Sequence, residues 1–441
     1  MALGKLLHSS WAVELDRLDQ LQWARVLLAL FIIWTMSSWI TWSDGPKASF
    51  VGFRFPLEPK FLVRMRFVNQ GLKMMNEGYD RDVLAPNYVK DLDGLVEELQ
   101  YSLDHDIPEY NDWSTVDVLE LCSKLVLRIS QRILIGEPMS RDQELLDCAQ
   151  GYADEASWRS KVWIRRADKI LAKELQRRRQ LEKTDSSYEK PKDLLQGMVE
   201  LDPCRSHDQL GHDFLVQALI SRMAPVITMG QALIDLSLET GTIDELREEI
   251  VQVMGRNGEG LSNLRKSLAR LDKMDSFFRE SARMTPLSMM TMHRVVQDEA
   301  GITLHDGVHL PRGTHLALPA YNIGRDPAMT PNADVFDGMR WYRQRQQGQK
   351  SSDEDSGGNW QFVTPDPNYL TFGSGKYVCP GRFIADHMIK LMMVAVLSRY
   401  ELKRAPGAPK PTQSYLHVFA FPDQTTLLMK RRVGADQFQI L

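Results

Sequence analysis

Residues 369–397 read YLTFGSGKYVCPGRFIADHMIKLMMVAVL, and the fold of the whole chain turns on them. Gly373, Ser374 and Gly375 make a loop whose backbone can approach a flat ligand closely, because glycine has no Cβ. Cys379 follows, and Pro380-Gly381 opens an apolar run through Ala385 and Met388 that predicts a helix. A thiol at a helix N-terminus meets the positive end of the helix dipole and unpaired N–H groups, and both favour the thiolate. The other cysteines, Cys122, Cys148 and Cys204, lie far from it, and no C-x-x-C pair exists. A zinc cage or an iron–sulfur cluster is therefore not expected, and those three read as small packing groups. One thiolate on one iron suits haem.

Working outward, the stretch Gly211 to Leu238 (GHDFLVQALISRMAPVITMGQALIDLSL) is apolar almost all round and predicts a helix running through a core. Residues 244–284 predict two more charged, amphipathic helices. Short β-like pieces come next around TMHRVV, GITLHDGVHL and HLALPAY, separated by Gly, Asp and Pro. Residues 344–361 (QRQQGQKSSDEDSGGNWQ) predict a polar surface loop, and residues 157–183 a strongly charged helix with a basic, solvated face. His207, His212 and His387 are scattered and read as surface or cap residues.

The chain has 441 residues with 43% hydrophobic and 25% charged, enough apolar content for a large core. Lys+Arg 54 against Asp+Glu 58 leaves a net charge of -4, so no nucleic-acid partner is expected. Four cysteines are too few for a disulfide framework, which places the bulk of the chain in a reducing compartment. No G-x-x-x-x-G-K-[ST], H-E-x-x-H or G-x-S-x-G motif supports a nucleotide, zinc-protease or serine-hydrolase reading.

One segment breaks the globular pattern. Val26 to Trp42 (VLLALFIIWTMSSWITW) carries no charge and approaches the length that crosses a hydrocarbon core. Arg25 precedes it, Asp44 and Lys47 come after, and Trp23, Trp39 and Trp42 stand where interfacial aromatics belong. The sequence thus predicts an N-terminal segment 1–45 with a transmembrane anchor at about 26–42, ahead of a body at 46–441. A buried core helix is the alternative.

The loop Phe372-G-S-Gly375-K-Y-V-Cys379-P-Gly381 resembles the haem-binding loop F-x-x-G-x-x-x-C-x-G of the cytochrome P-450 family. Glu280-Ser281-Ala282-Arg283 is similar to the family's E-x-x-R, and FDGMRW (336–341) to the segment that supplies its second arginine, Arg340. Glu280 and Arg283 at i,i+3 share a helix face, and Arg340 from a distant loop can reach the same carboxylate. The resemblance implies a mainly α fold, one large helix-rich domain with small β-sheets, holding haem b between two long helices with Cys379 as the iron ligand. It further implies Phe372, Gly375, Lys376, Tyr377 and Gly381 around the cofactor, and His293 and Arg294 as partners of its propionates. The N-terminal anchor, the Pro-containing linker and FVGFRFPLEPKFLVRMRFVNQGLKMMNEGY (50–79) look like filamentous-fungal members of secondary-metabolite pathways. That likeness implies a single-pass protein of the endoplasmic reticulum with a cytosolic haem domain. It would oxidise a lipophilic small molecule with electrons from NADPH through a separate NADPH–cytochrome reductase.

The chain also departs from the pattern. Where the family's central helix carries an acid or amide and then a threonine, this chain has Met223, Ala224, Pro225 and Val226, none of which relays a proton. Pro225 removes a backbone donor and leaves the Ser221 carbonyl without its helical partner. Thr228, one turn on, is the nearest hydroxyl, either a relay through water or a residue bonding its own backbone. The body looks shortened near 92, where relatives carry a substrate-lining loop and a propionate-side helix, and also near 163. A compact variant and a mis-spliced gene both produce that pattern. The alternatives to monooxygenation are a rearrangement or dehydration on the same haem, or a catalytically degenerate truncated member.

Overall fold

The computed structural model describes residues 92–154, 160–201, 207–255, 259–348, 360–375, 378–416, 419–423 and 425–434. The expected anchor at 26–42, the linker after it, Cys204, Lys376 and Tyr377 lie outside these residues. Among the described residues no helix is long and apolar enough to cross a membrane.

Helices dominate. α1 (Leu92–His105) buries Leu92, Leu95, Leu99 and Leu103, the three-to-four spacing of an amphipathic helix. After β1 (Ser114–Asp117), the Asp117 carboxylate accepts the backbone N–H groups of Leu119 and Glu120 and starts α2 (Val118–Ile135). α3 (Gln143–Asp154), α4 (Ser160–Thr184) and α5 (Leu194–Leu201) come next. The basic face of α4 is exposed, but Arg178 turns inward, where Glu174 and Asp193 take its guanidinium.

The apolar stretch around 211–238 is α6 (His207–Leu236), unbroken through Pro225. At 1.5 Å per residue it spans about 45 Å. It packs along α2 and α4 and belongs to two hydrophobic clusters. Phe214, Leu215, Val216 and Ala218 pack with α3, α4 and α5. Met229, Ala232, Leu233, Ile234 and Leu236 join the larger cluster. Between the two runs, Met223, Ala224, Val226 and Thr228 are only half-buried.

The expected pair of helices at 244–284 is three: α7 (Thr240–Met254), the short α8 (Leu264–Ala269) and α9 (Asp272–Met284). The β-like pieces are β2 (Thr291–Val295), β3 (Ile302–Thr303), β4 (His309–Leu310) and β5 (His315–Leu318), paired β2 with β5 and β3 with β4. α10 (Ala320–Gly324) and α11 (Arg340–Gly348) come after them. The latter takes the first residues of the expected loop at 344–361 into a helix. Arg345 anchors it, donating to Asp272 and Asp275 of α9. α12 (Arg382–Arg399) is buried continuously from Asp386 to Ser398. β6 (Tyr400–Lys403), β7 (Gln413–Leu416), β8 (Phe419–Pro422) and β9 (Thr426–Arg431) end the described chain. β9 lies between β1 and β6, pairing Asp117 with Thr426 and Tyr400 with Arg431, so the last described strand joins the first one in a single sheet.

Candidate active site

The cysteine loop leaves the core at Leu370 and returns at α12. Gly373 and Gly375 adopt φ of 72° and 64°, a left-handed region in which glycine avoids the Cβ clash other residues meet. The Gly373 N–H donates to Leu370 O, Val378 N–H to Gly375 O, and Cys379 N–H to Phe372 O at 2.8 Å. Arg382 donates to the Cys379 carbonyl at 2.9 Å, and Ala385 N–H to Gly381 O begins the helix. Cys379 is half-buried, whereas Cys122 and Cys148 are enclosed. Burial pushes the Cys122 thiol far up and the Cys148 thiol up to about 11, so neither is suited to ligation.

This loop fits a haem. It places the half-buried Cys379 just ahead of α12, and a Cβ added at Gly375 would meet nothing within 4 Å, so space is open beside the loop. Phe372, Gly375, Cys379 and Gly381 are brought together here. Lys376 and Tyr377 lie outside the described residues.

Glu280, Arg283 and Arg340 meet as the spacing predicts. The Glu280 carboxylate is fully buried on α9. Arg283 donates to both its oxygens, through Nε at 2.8 Å and Nη2 at 2.7 Å, and Arg340 Nε reaches Oε1 at 3.1 Å. The Asp337 N–H adds a bond to Oε1, and the Trp341 indole N–H one to Oε2 at 3.0 Å. The outer nitrogens of the two arginines then hold backbone carbonyls. Arg283 takes Gly324 and Ala333, and Arg340 takes Pro331, Asn332 and Val335. One buried carboxylate therefore fixes the course of residues 324–341. Gly338 allows the close approach, since a Cβ there would lie 2.8 Å from the Phe277 ring. Sequence spacing did not single out Trp341, although an indole next to the second arginine is a legible hint of a buried N–H donor.

α6 and α9 are tied by Asp235, which accepts Ser281 Oγ at 2.6 Å and Gln231 Nε2 at 2.8 Å. Desolvation of its carboxyl tip pushes Asp235 up to about 7, although the residue as a whole is not fully covered. On α12, Lys390 Nζ lies 2.8 Å from Asp275 and 3.0 Å from Asp386. Burial works against its charge, but the two carboxylates prevail and hold the ammonium form.

His293 and Arg294 sit half-buried on β2. His293 Nε2 lies 3.2 Å from Met290 O and its Nδ1 3.3 Å from His315 Nε2, while Arg294 donates to the His293 carbonyl. Their side chains thus face partners within the small sheet. His387, expected at the surface or a cap, is instead buried on α12. Burial first, then the cations Lys390 and Arg265, pull it down to about 4. His212 is half-buried, 3.1 Å from the Tyr152 hydroxyl.

Residues 161–429 match the family model described as Cytochrome P450. The chain is 54% identical to the cytochrome P450 monooxygenase ltmJ of Epichloe festucae var. lolii, over 99% of this chain and 100% of that protein. It is 40% identical to the cytochrome P450 monooxygenase terK of Tolypocladium album, over 79% of this chain and 70% of that one. Among solved structures, the retinoic acid bound cyanobacterial CYP120A1 shares the fold, with a TM-score of 0.59 at 14% identity over 84% of this chain and 79% of the other.

Proposed function

The chain belongs to the cytochrome P450 family and is a monooxygenase of it, and from that premise we propose a membrane-anchored enzyme that oxidises a lipophilic small molecule in fungal secondary metabolism. Cys379 holds the iron of haem b, with NADPH-derived electrons arriving from a separate reductase. The observation that carries this reading is the half-buried Cys379, whose backbone N–H donates to Phe372 O just ahead of α12.

Haem iron, when bound, supplies one-electron redox chemistry and dioxygen activation. The protein's part is narrower. The loop's internal hydrogen bonds hold the Cys379 backbone just ahead of α12, where the positive end of a helix dipole suits an anionic ligand. Beside Gly375 the space is open, with nothing within 4 Å of where a Cβ would stand, and a macrocycle would rest there against Phe372 and Gly381. His293 and Arg294 are the propionate partners the family resemblance implies, and to serve they would turn from their contacts around β2. On α6 the half-buried run from Met223 to Thr228, between the two hydrophobic clusters, offers an apolar wall to a lipophilic substrate. Met223, Ala224, Pro225 and Val226 hold no exchangeable side-chain proton, so protons reach the site through Thr228 with ordered water, or through a hydroxyl of the substrate.

The anchor at 26–42 and an endoplasmic-reticulum setting with a cytosolic body rest on the apolar, Trp-flanked sequence. The reading of a shortened body is supported by the 54% alignment, which runs over 526 positions, 85 more than the 441 residues here.

The test is the carbon-monoxide difference spectrum of reduced, membrane-expressed protein beside Cys379→Ala. A long-wavelength thiolate band with stoichiometric haem, lost in the variant, is expected. Well-expressed protein without haem would overturn the proposal. One oxygen atom from labelled dioxygen in the product would then confirm the reaction class for a given substrate.

A further inference from the structure

Arg279 stands beside Glu280 on α9 but points elsewhere. It is the bulkiest fully buried side chain among the described residues. Burying a guanidinium costs several kcal/mol unless its charge and hydrogen bonds are matched, and here both terminal nitrogens are matched while Nε finds no partner. Nη1 donates to Gln361 O at 2.7 Å and Thr364 O at 2.9 Å, and Nη2 bonds the Asp366 carboxylate. Its flat face is enclosed by aromatic rings, with Tyr369 at 4.0 Å, Trp341 at 4.9 Å and Trp360 at 5.7 Å from the guanidinium carbon.

One turn earlier on the same helix, Asp275 addresses the same segment. Its Oδ2 accepts the Phe362 N–H at 2.9 Å and Arg345 at 3.1 Å, while Oδ1 takes Lys390 of α12. Asp275 and Arg279 are four residues apart, so they share a face of α9. Between them they hold Gln361, Phe362, Thr364 and Asp366, a short turn closed by Thr364 N–H to Gln361 O and by Tyr369 N–H to Asp366 O.

That turn is the support of the cysteine loop. Phe362 packs edge-on against Phe372 with ring centroids 5.1 Å apart. Phe372 is the residue whose carbonyl accepts the Cys379 N–H. On the other side, Asp275 is bonded through Lys390 to α12, the helix that begins just after Cys379. One face of α9 therefore holds both the turn that leads into the loop and, through Lys390, the helix that follows it.

We propose that Asp275 and Arg279 are positioning residues forming a second clamp, which sets Cys379 through backbone contacts other than those the Glu280 network holds. The two clamps divide the backbone between them. Glu280, Arg283 and Arg340 hold residues 324–341, whereas Asp275 and Arg279 hold 361–366 and, through Phe362 and Phe372, the Cys379 backbone. Arginine is required at 279 because two carbonyls and a carboxylate must be met by one planar fork under stacked rings, a geometry a lysine does not reproduce. The clamp depends on Cys379 being the iron ligand only in its spectral consequence.

The experiment uses the full haem-loaded chain and compares Arg279→Gln, Arg279→Lys and Glu280→Gln. Backbone hydrogen exchange is read by mass spectrometry on peptides covering 360–379 and 320–341, beside the carbon-monoxide spectrum. For Arg279→Gln, exchange in 360–379 rises at least about tenfold, the equivalent of one lost charged hydrogen bond, while 320–341 keeps its protection. Glu280→Gln gives the opposite pattern. The thiolate fraction of the carbon-monoxide complex falls in Arg279→Gln and recovers in part in Arg279→Lys. Unchanged exchange in 360–379, or equal loosening of both segments, overturns the proposal. Should Arg279→Gln fail to fold, Asp366→Asn weakens the same clamp from the loop side and is judged by the same two peptides. If the ligation reading fails, so that Cys379→Ala keeps the wild-type band, the exchange result still decides the clamp.

Discussion

The indole Nε1 of Trp341 donates to Glu280 Oε2 at 3.0 Å. The same ring lies under the guanidinium of Arg279, so a single side chain joins the two networks that α9 sends out. Glu280 and its arginines fix one stretch of backbone, and Arg279 fixes the stretch that leads to the cysteine.

Glu280→Gln removes the only anion that Arg283 and Arg340 are both bonded to within this network, and leaves two buried cations without their charge partner. Breaking a buried pair in this way costs about 3–5 kcal/mol. Denaturant unfolding of the haem-loaded chain should register a loss of that size, and a cost below about 1 kcal/mol, the worth of an exposed pair, would contradict the arrangement.

Trp341→Phe keeps a ring beneath Arg279 but deletes the N–H to Glu280. A hydrogen bond to a charged group is worth about 1.5–3 kcal/mol. Stability should drop by that amount while the thiolate band keeps its wild-type intensity, because the 361–366 turn retains its hold. Thermal unfolding followed at the haem absorbance measures both.

His387 is neutral in the fold, with its pKa pulled down to about 4 by burial and by Lys390 and Arg265. The unfolded chain binds a proton near pH 6.5 that the folded protein refuses, so stability present above that pH is lost as pH falls toward 4. A shift of this size corresponds to about 3 kcal/mol at most. His387→Gln should flatten the pH dependence of the unfolding free energy between pH 6.5 and 4, and an unchanged slope would show that the imidazole is not shielded.

Thr228→Val probes the proton supply. If this hydroxyl serves the distal side, product formed per NADPH falls by about 10²-fold, the lower end of what a positioned proton donor contributes. Haem content and the thiolate band stay constant. Full retention of coupling would assign the proton supply to the substrate or to water alone.

Much of this was legible in local sequence because the relevant geometry is local. Four fixed residues over ten positions define the cysteine loop, and i,i+3 spacing places Glu280 and Arg283 together on any α-helix. The all-round apolar character of 211–238 announced a helix through the core, and alternation bounded by Gly and Pro located β2 to β5. Boundaries were less visible. Residues 344–348 look like the start of a polar loop, yet they remain helical because Arg345 finds Asp272 and Asp275 about seventy positions away.

Charge pattern misled most where a charged side chain points inward. Asp275, Arg279, His387 and Lys390 carry the polarity of a solvated helix face, and nothing in their neighbours along the chain says otherwise. Their partners, Phe362, Gln361, Asp366 and one another, lie up to 115 residues apart. Helical period tells which side chains share a face, but not what that face meets. The cost of burying an ion is offset only once distant segments bring the matching groups, and that matching arises in the folded packing of α9 against the turn at 361–366 and α12.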